Sequence, residues 1–314
     1  TVHDNQAPNA ICQNVTVVLD ANDSARVEPS MVNNGSTDNC GVDSVALNIC
    51  NFYCHNTGNT TVTLTVYDVN GNTSTCTAVV TTLDQTPPTA VCQNFTVTLD
   101  GAGMGEMFAP DVDGGSFDNC ELDSIHVSQT LFTCANIGNN TVVLTAYDLS
   151  GNTSTCTAVV TVVDDIPPTI ECNNQGLISG PNNSFANDVT LPTDPGECTA
   201  FFEYTNDVTD NCTYTVAQTA GLPSGSDFPV GTTLDTYVVT DAGGNTASCS
   251  FNVTVVDPQP PVVTCPANIT VNNTPGLCSA TVSYTATATD NCAATVTLSP
   301  ASGSVFPVGT TTVT

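Results

Sequence analysis

The sequence predicts an all-β chain, a tandem array of small β-sandwich domains. Three observations predict it. A phrase of fixed parts is written four times, β-branched residues alternate with small or apolar ones between turn signals, and sixteen cysteines stand in register with the phrase. The phrase opens with Asp-x-x-[Pro/Ala]-Pro at Asp4, Asp84, Asp164 and Asp257. A Cys follows eight residues later, at Cys12, Cys92, Cys172 and Cys265. Asp-Asn-Cys comes next, at Asp38-Asn39-Cys40, Asp118-Asn119-Cys120, Asp210-Asn211-Cys212 and Asp290-Asn291-Cys292. Three copies add Asp-x-x-Gly-Asn, at Asp68 to Asn72, Asp148 to Asn152 and Asp241 to Asn245, and close on Cys76, Cys156 and Cys249. The opening aspartates lie 80, 80 and 93 residues apart. A period this long marks domains that each bury a core. The expected domains are residues 1–84, 85–164, 165–257 and an incomplete 258–314.

Within a copy the elements follow in order. Thr16–Asp20 (TVVLD), Thr61–Tyr67 (TVTLTVY), Thr77–Thr82 (TAVVTT) and their counterparts read as strands, bounded by Asn-Gly, Gly-Asn and Pro-Pro turns. No helical periodicity is visible, and Thr and Val stand where Leu, Glu, Lys and Ala would fill helices. Short strands at even spacing read as sandwiches. The joints Asp84–Pro88, Asp164–Pro168 and Asp257–Pro261 are short and proline-bearing, which stiffens them and predicts a rod.

A unit of about 80 residues buries a modest core and needs staples, which the cysteines supply. Paired cysteines at regular spacing place the chain outside the cell or on its surface. Thirty acidic residues face one basic residue, Arg26, for a net charge of −29. That balance excludes nucleic acid and argues against anionic membranes, while it favours divalent cations. No apolar run approaches the ~20 residues of a membrane span.

The third and fourth copies carry a resemblance. The fourth reads CPANITVNNTPGLCSATVSYTATATDNC and then FPVGTT; the third ends FPVGTTLDTYVVTDAGGNTASCSFNVTVVD. Over Ile166–Thr314 this set is similar to the hyalin-repeat (HYR) family, an immunoglobulin-like extracellular module. The first two copies lack the Gly-x-Cys and the Phe-Pro-Val-Gly turn, and resemble a variant common in tandem arrays of large bacterial surface proteins. The resemblance implies adhesion or extracellular scaffolding and brings no catalytic residue.

In an immunoglobulin-like sandwich the first and last strands run side by side, so the opening and closing cysteines could meet. The expected pairs are Cys12 with Cys76, Cys92 with Cys156, and Cys172 with Cys249. By elimination the cysteines 14 residues apart would pair: Cys40 with Cys54, Cys120 with Cys134, Cys198 with Cys212, and Cys278 with Cys292. Four cysteines per unit allow three connectivities. Cys50 and Cys265 are left over. Cys50-x-x-x-Cys54 is the one close pair, and nothing completes a tetrahedral zinc set around it.

The three acidic turns of each copy should converge at the N-terminal end of its sandwich. Ca²⁺ takes 6–8 oxygen ligands from such loops, in a logic comparable to that of cadherin joints. The expected ligands are Asp4, Asp38, Asn39, Asp68 and Asn72; Asp84, Asp118, Asn119, Asp148 and Asn152; Asp164, Asp210, Asn211, Asp241 and Asn245; and Asp257, Asp290 and Asn291. The competing account is turn chemistry alone, since Asp and Asn favour such turns without metal. Clustered carboxylates with almost no Lys or Arg tip the balance toward a counter-ion.

Other motifs carry less. His3, His55 and His126 recur at no fixed position. Ser24, Ser44 and Ser124 follow Asp in a pattern seen at some bacterial O-glycosylation sites, and sequons such as Asn14, Asn94, Asn152 and Asn268 follow from composition. There is no G-x-S-x-G elbow. The expected function is a non-enzymatic structural or adhesive rod or filament, with other copies or neighbouring repeats and an unnamed cell-surface or matrix ligand as partners. The alternative is a glycan- or protein-binding accessory module of a larger secreted protein or enzyme. With no Trp and 11 Phe plus 7 Tyr in 314 residues, the glycan reading is the weaker. Thr1–Asp4 reads as the tail of a last strand, and the fourth copy stops inside its penultimate strand. The expectation is therefore a piece of a longer secreted chain, or a fourth unit completed by a neighbour's strand.

Overall fold

The computed structural model describes residues 2–172 and 188–314; Thr1, part of the expected strand tail, lies outside the described residues. The first copy builds β1 (Val15–Val18), β2 (Ser24–Arg26), β3 (Val42–Leu47), β4 (Asn51–Tyr53), β5 (Gly58–Asp68) and β6 (Thr73–Leu83). One sheet has the order β1-β6-β5-β3. In it β1 runs parallel to β6, with Val15 opposite Val80, and the rest is antiparallel. The facing layer pairs β2 with β4 and adds the bridges Asn9–Thr37 and Cys12–Asn33. This is a two-layer immunoglobulin-like sandwich.

The alternation in the sequence explains which face is buried. On β5, Val62, Leu64 and Val66 are fully buried while Thr61, Thr63 and Thr65 point away. They pack on Val17, Val27, Val32, Phe52, Ala78 and Val80. Each large aliphatic side chain buried this way stabilises the unit by about 1.5–3 kcal/mol. The expected strands Thr61–Tyr67 and Thr77–Thr82 lie inside β5 and β6, and Thr16–Asp20 overlaps β1.

The second copy repeats the plan with β7 (Phe95–Thr98), β8 (Met104–Glu106), β9 (Leu122–Val127), β10 (Leu131–Thr133), β11 (Gly138–Asp148) and β12 (Thr153–Val163), in sheets β7-β12-β11-β9 and β8-β10. The third has β13 (Thr169–Glu171), β14 (Val189–Pro192), β15 (Thr199–Phe202), β16 (Asp207–Thr209), β17 (Tyr214–Ala220), β18 (Ser226–Pro229), β19 (Gly231–Asp241) and β20 (Thr246–Val256). Its large sheet is β14-β20-β19-β17, faced by the pairs β13-β16 and β15-β18. The fourth pairs β21 (Val262–Thr264) with β23 (Thr287–Thr289) and β22 (Ser279–Val282) with β24 (Ser304–Pro307).

The chain divides into two compact units, Thr1–Asp165 and Ile166–Thr314, each holding two copies of the phrase. Among the described residues helix is confined to single turns such as Pro29–Val32 and Ala109–Val112, too short to write a 3.6-residue period into the sequence. Among the described residues no helix is long and apolar enough to cross a membrane.

The third core differs in chemistry. Tyr204 and Tyr237 share a hydroxyl hydrogen bond of 2.7 Å, and Tyr204 also donates to the Leu222 carbonyl. Asp235 is fully buried beside them; its Oδ1 accepts from Gln218 Nε2 and Leu222 N, and its Oδ2 has no hydrogen-bond partner. Burial pushes the Asp235 carboxyl above the ordinary carboxylate range, against those two donors. Burial and the Tyr237 contact likewise raise the Tyr204 hydroxyl.

Candidate metal centre and the latched joint

The turn between β5 and β6 positions the first group of candidate ligands. Asp68 Oδ1 accepts from Asn70 N and Asn72 N, and Oδ2 accepts from Asn72 Nδ2 at 2.7 Å. Gly71 sits at φ 91°, a conformation that L side chains rarely adopt, so the Asp-x-x-Gly-Asn spacing is a geometric requirement. The β11–β12 turn repeats it with Asp148, Ser150, Gly151 (φ 88°) and Asn152. The β19–β20 turn does so with Asp241 and Asn245.

The first two of these turns reach back to the opening aspartate. Asn152 Nδ2 donates to the Asp84 carbonyl at 3.2 Å, and Asn72 Nδ2 to the Asp4 carbonyl at 3.3 Å. The Asp-Asn-Cys loop closes on itself. Asp118 Oδ2 accepts from Cys120 N and Glu121 N, and Asp38 Oδ2 accepts from Cys40 N and Gly41 N.

The three turns of the second copy thereby converge. Carboxylate oxygens of Asp84, Asp118 and Asp148 all lie within 4.8 Å of one another, and Asp84 and Asp148 are buried. Asp84 Oδ2, Asp118 Oδ1 and Asn119 Oδ1 are buried with no hydrogen-bond partner. Such atoms are costly unless something else satisfies them. Two unit charges this close repel by about 3 kcal/mol at an effective dielectric of ~20. The only Lys or Arg in the chain is Arg26, and it pairs with Glu28 at 2.6 Å. A hard divalent cation fits what remains, an all-oxygen donor set carrying three carboxylates.

In the first copy Asp4, Asp38 and the Cys40 thiol lie within 4.8 Å, with Asp38 Oδ1 buried and unpartnered. There Asp4 Oδ2 accepts from Asn70 Nδ2, and Asn39 is exposed. The Gln6 amide, then the Cys40 thiol and Asn70, hold the Asp4 carboxyl below its usual range. Burial pushes Asp68 up, but the Asn72, Asn70 and Gly71 donors outweigh it and leave the carboxyl low. In the third copy Asp210 and Asp241 bring carboxylate oxygens within 4.8 Å, and Asp210 Oδ1 is unpartnered. Asp164 is buried, and Asn211 is half-buried.

In the fourth copy Asp257 and Asp290 join no group of three potential ligands among the described residues. Asp257 Oδ1 accepts from Gln259 N, and Asp290 Oδ1 accepts from Asn291 N. Asn291 Nδ2 donates to the Glu197 carbonyl of the third copy at 2.8 Å.

The cysteines hold the largest correction. Cys12–Cys76, Cys92–Cys156 and Cys172–Cys249 are disulfides, each tying the opening of a copy to its last long strand. The 14-residue pairs do not form. Cys54 bonds Cys120, which displaces both Cys40–Cys54 and Cys120–Cys134. Cys198 bonds Cys292, which displaces both Cys198–Cys212 and Cys278–Cys292. Cys134 and Cys212 are each disulfide-bonded as well. The free cysteines are Cys40, Cys50, Cys265 and Cys278, so Cys50 is not the lone thiol of the first three copies.

The physical reason is the length of the sandwich. The Asp-Asn-Cys loop lies at its N-terminal end with the carboxylates, whereas Cys54 follows β4 and faces the next copy. Two cysteines at opposite ends cannot come within the ~7 Å Cα separation that a disulfide needs. One signal pointed there: Asp-Asn-Cys precedes its 14-residue mate in the first two copies and follows it in the last two.

The HYR domain family matches residues 163–255 and 256–314. Hyalin of Strongylocentrotus purpuratus is 39% identical over 188 residues, which covers 57% of this chain and 15% of that protein. Hyalin of Lytechinus variegatus is 35% identical over 190 residues, covering 57% and 33%. The chain thus spans a third or less of the relatives it matches. Among solved structures, the protocadherin GammaB4 extracellular domain aligns over 90% of this chain and 55% of its own at 13% identity and TM-score 0.33. Sidekick-1 immunoglobulin domains 1–4 align over 79% and 76% at 12% identity and TM-score 0.30.

Proposed function

We propose that this chain, whose residues 163–255 and 256–314 match the HYR domain family, is a structural segment of an extracellular adhesive rod or filament whose joints are stiffened by calcium. An adhesion-type repeat module without enzymatic machinery agrees with the family and with its twelve bonded cysteines, sixteen less the four free ones. The observation that carries the calcium reading is the trio of buried side-chain oxygens on Asp84, Asp118 and Asn119 that no donor in the protein satisfies. With Asp148 they would hold one Ca²⁺ between the end of one sandwich and the loops of the next. The ion would neutralise the carboxylates and tie together three segments that otherwise repel. Asp4, Asp38 and Asp68, and Asp210 with Asp241, would serve the same purpose at their own joints. The array would then hold a ligand-bearing region at a distance, with neighbouring repeats, other copies, or a cell-surface or matrix component as partners.

Calcium titration of the intact chain tests this. Binding should appear as heat in calorimetry, a higher melting temperature and a stiffer particle in small-angle scattering. Asp118→Asn should remove that response at the first joint while leaving the Cys54–Cys120 bond in the peptide map. No heat, and identical melting and scattering in calcium and in chelator, would leave turn chemistry as the whole account.

A further inference from the structure

Two disulfides between copies share one position, the cysteine of an Asp-Asn-Cys loop. Cys54–Cys120 joins the first copy to the second, and Cys198–Cys292 joins the third to the fourth. In both, the cysteine of an Asp-Asn-Cys loop takes the sulfur of a cysteine in the copy before it. Cys40 stands in the Asp-Asn-Cys loop of the first copy. Cys278 stands in Gly276-Leu277-Cys278, the counterpart of Gly196-Glu197-Cys198. Both are free and exposed, whereas Cys54, Cys120, Cys198 and Cys292 are half-buried. The loop around Cys40 carries a second mark. Asn39 is exposed where Asn119 and Asn291, covered by a preceding copy, are half-buried. Cys50 and Cys265 occupy neither latch position.

We propose that Cys40 and Cys278 are the two docking ends of a covalent ladder of modules, each forming a disulfide with another hyalin-repeat module. Cys40 takes a partner cysteine at the Cys54 or Cys198 position, and Cys278 takes one in an Asp-Asn-Cys loop. The partner's chemistry is a thiol on a module of this kind, supplied by a further stretch of the same polypeptide or by a second copy of the chain. Joining two thiols forms one S–S bond and releases two protons and two electrons. A small disulfide such as oxidised glutathione accepts the electrons by thiol–disulfide exchange and leaves as two thiols. The ladder rests on the bonding pattern and not on calcium, so either idea can fail without the other.

The test begins with the protein alkylated as isolated, without reduction, then digested and mapped by mass. Cys40 and Cys278 are expected in disulfide-linked peptides. Non-reducing electrophoresis separates the sources: the chain keeps its mass if the partner lies in the same polypeptide, and a ladder of multiples appears if it is a second copy. Alkylated thiols at both positions overturn the proposal. A second measurement uses two variants of the 314-residue chain, Cys40→Ser and Cys278→Ser, each also carrying Cys50→Ser and Cys265→Ser. Mixed in a glutathione buffer, they should give a one-to-one dimer with a Cys40–Cys278 peptide, about tenfold more than either variant alone, because docking raises the effective concentration of the two thiols. Cross-linking no greater in the mixture than in the separate variants overturns it, provided both retain the Cys54–Cys120 peptide.

Discussion

The same three turns appear twice in the first unit, once at the joint between copies and once in the first copy, and they end in different states. At the joint, Asp84, Asp118 and Asp148 crowd together, Asn119 is half-buried, and Cys120 is covalently held by Cys54. In the first copy the Asp4 carboxylate takes the Asn70 amide, Asn39 is exposed and Cys40 is free. The turn sequences, Asp-Val-Asn-Gly-Asn against Asp-Leu-Ser-Gly-Asn, differ at one polar position, and Asn70, where the second copy has Ser150, supplies the amide that Asp4 takes. The loops differ as well, because a preceding sandwich covers the one around Asp118 and removes its oxygens from water. The joint between the third and fourth copies carries a latch as well, Cys198–Cys292.

The largest expected effect breaks the comparison at the latch. Cys54→Ser with Cys120→Ser opens a cross-link of 66 residues. On the chain-entropy account such a loop is worth about 4 kcal/mol at most. The loss should fall on the joint, seen as faster proteolysis at Asp84–Pro88, while each sandwich keeps its own Cys12–Cys76 or Cys92–Cys156 bond. Cys12→Ser with Cys76→Ser should cost a similar amount but unfold the first sandwich itself. If the two double variants melt alike and neither shows enhanced cleavage at the joint, the latch is not a separate mechanical element.

The contrast also shows what the sequence could reveal. The sandwich fold was legible because period-two alternation on β5 and β6, and on their copies, directly encodes burial. The convergence of the acidic turns was legible because each sits at a strand boundary on the same end of the sandwich. The bonds between copies were not, because periodicity describes one unit and says nothing of its neighbour. Elimination among four cysteines assumed a closed unit, and that assumption hid the latch. Asp235 was equally hidden: it lies in a strand of ordinary pattern, and its burial follows from the Tyr204–Tyr237 core of the third copy.

Asp235 gives a second, smaller effect that sharpens the division between joints and cores. Burial raises its carboxyl above the ordinary value of 3.8. A raised folded value means the protonated form is favoured by folding. Its contribution is complete below the ordinary value and is lost as pH rises through the folded one. Asp235→Asn should therefore stabilise the third sandwich near neutral pH by about 1 kcal/mol and flatten its acid-to-neutral slope in denaturant melts. Calcium should not alter that difference. An Asp235→Asn protein that is less stable at neutral pH than the parent would mean that the ionised carboxylate is needed where it lies.

The smallest effect separates turn chemistry from metal most cleanly. Asn72 and Asn152 make matching bonds, from Nδ2 to the Asp4 and Asp84 carbonyls and to Asp68 and Asp148 at 2.7 Å. Neither amide is among the orphaned oxygens, so each acts by closing a turn. Asn72→Ala and Asn152→Ala should each cost about 1 kcal/mol, and by nearly equal amounts in chelator. In calcium the two should part. Asp84, Asp118, Asp148 and Asn119 all remain in Asn152→Ala, so an ion there would still draw the three segments together and recover part of the loss. At Asn72, Asn39 faces solvent and Asp4 is already engaged by Asn70, so recovery should be weaker. Equal losses in calcium and in chelator at both positions would reduce the acidic turns to hairpin chemistry. Recovery at Asn72 but not at Asn152 would place the ion at the wrong end of the comparison.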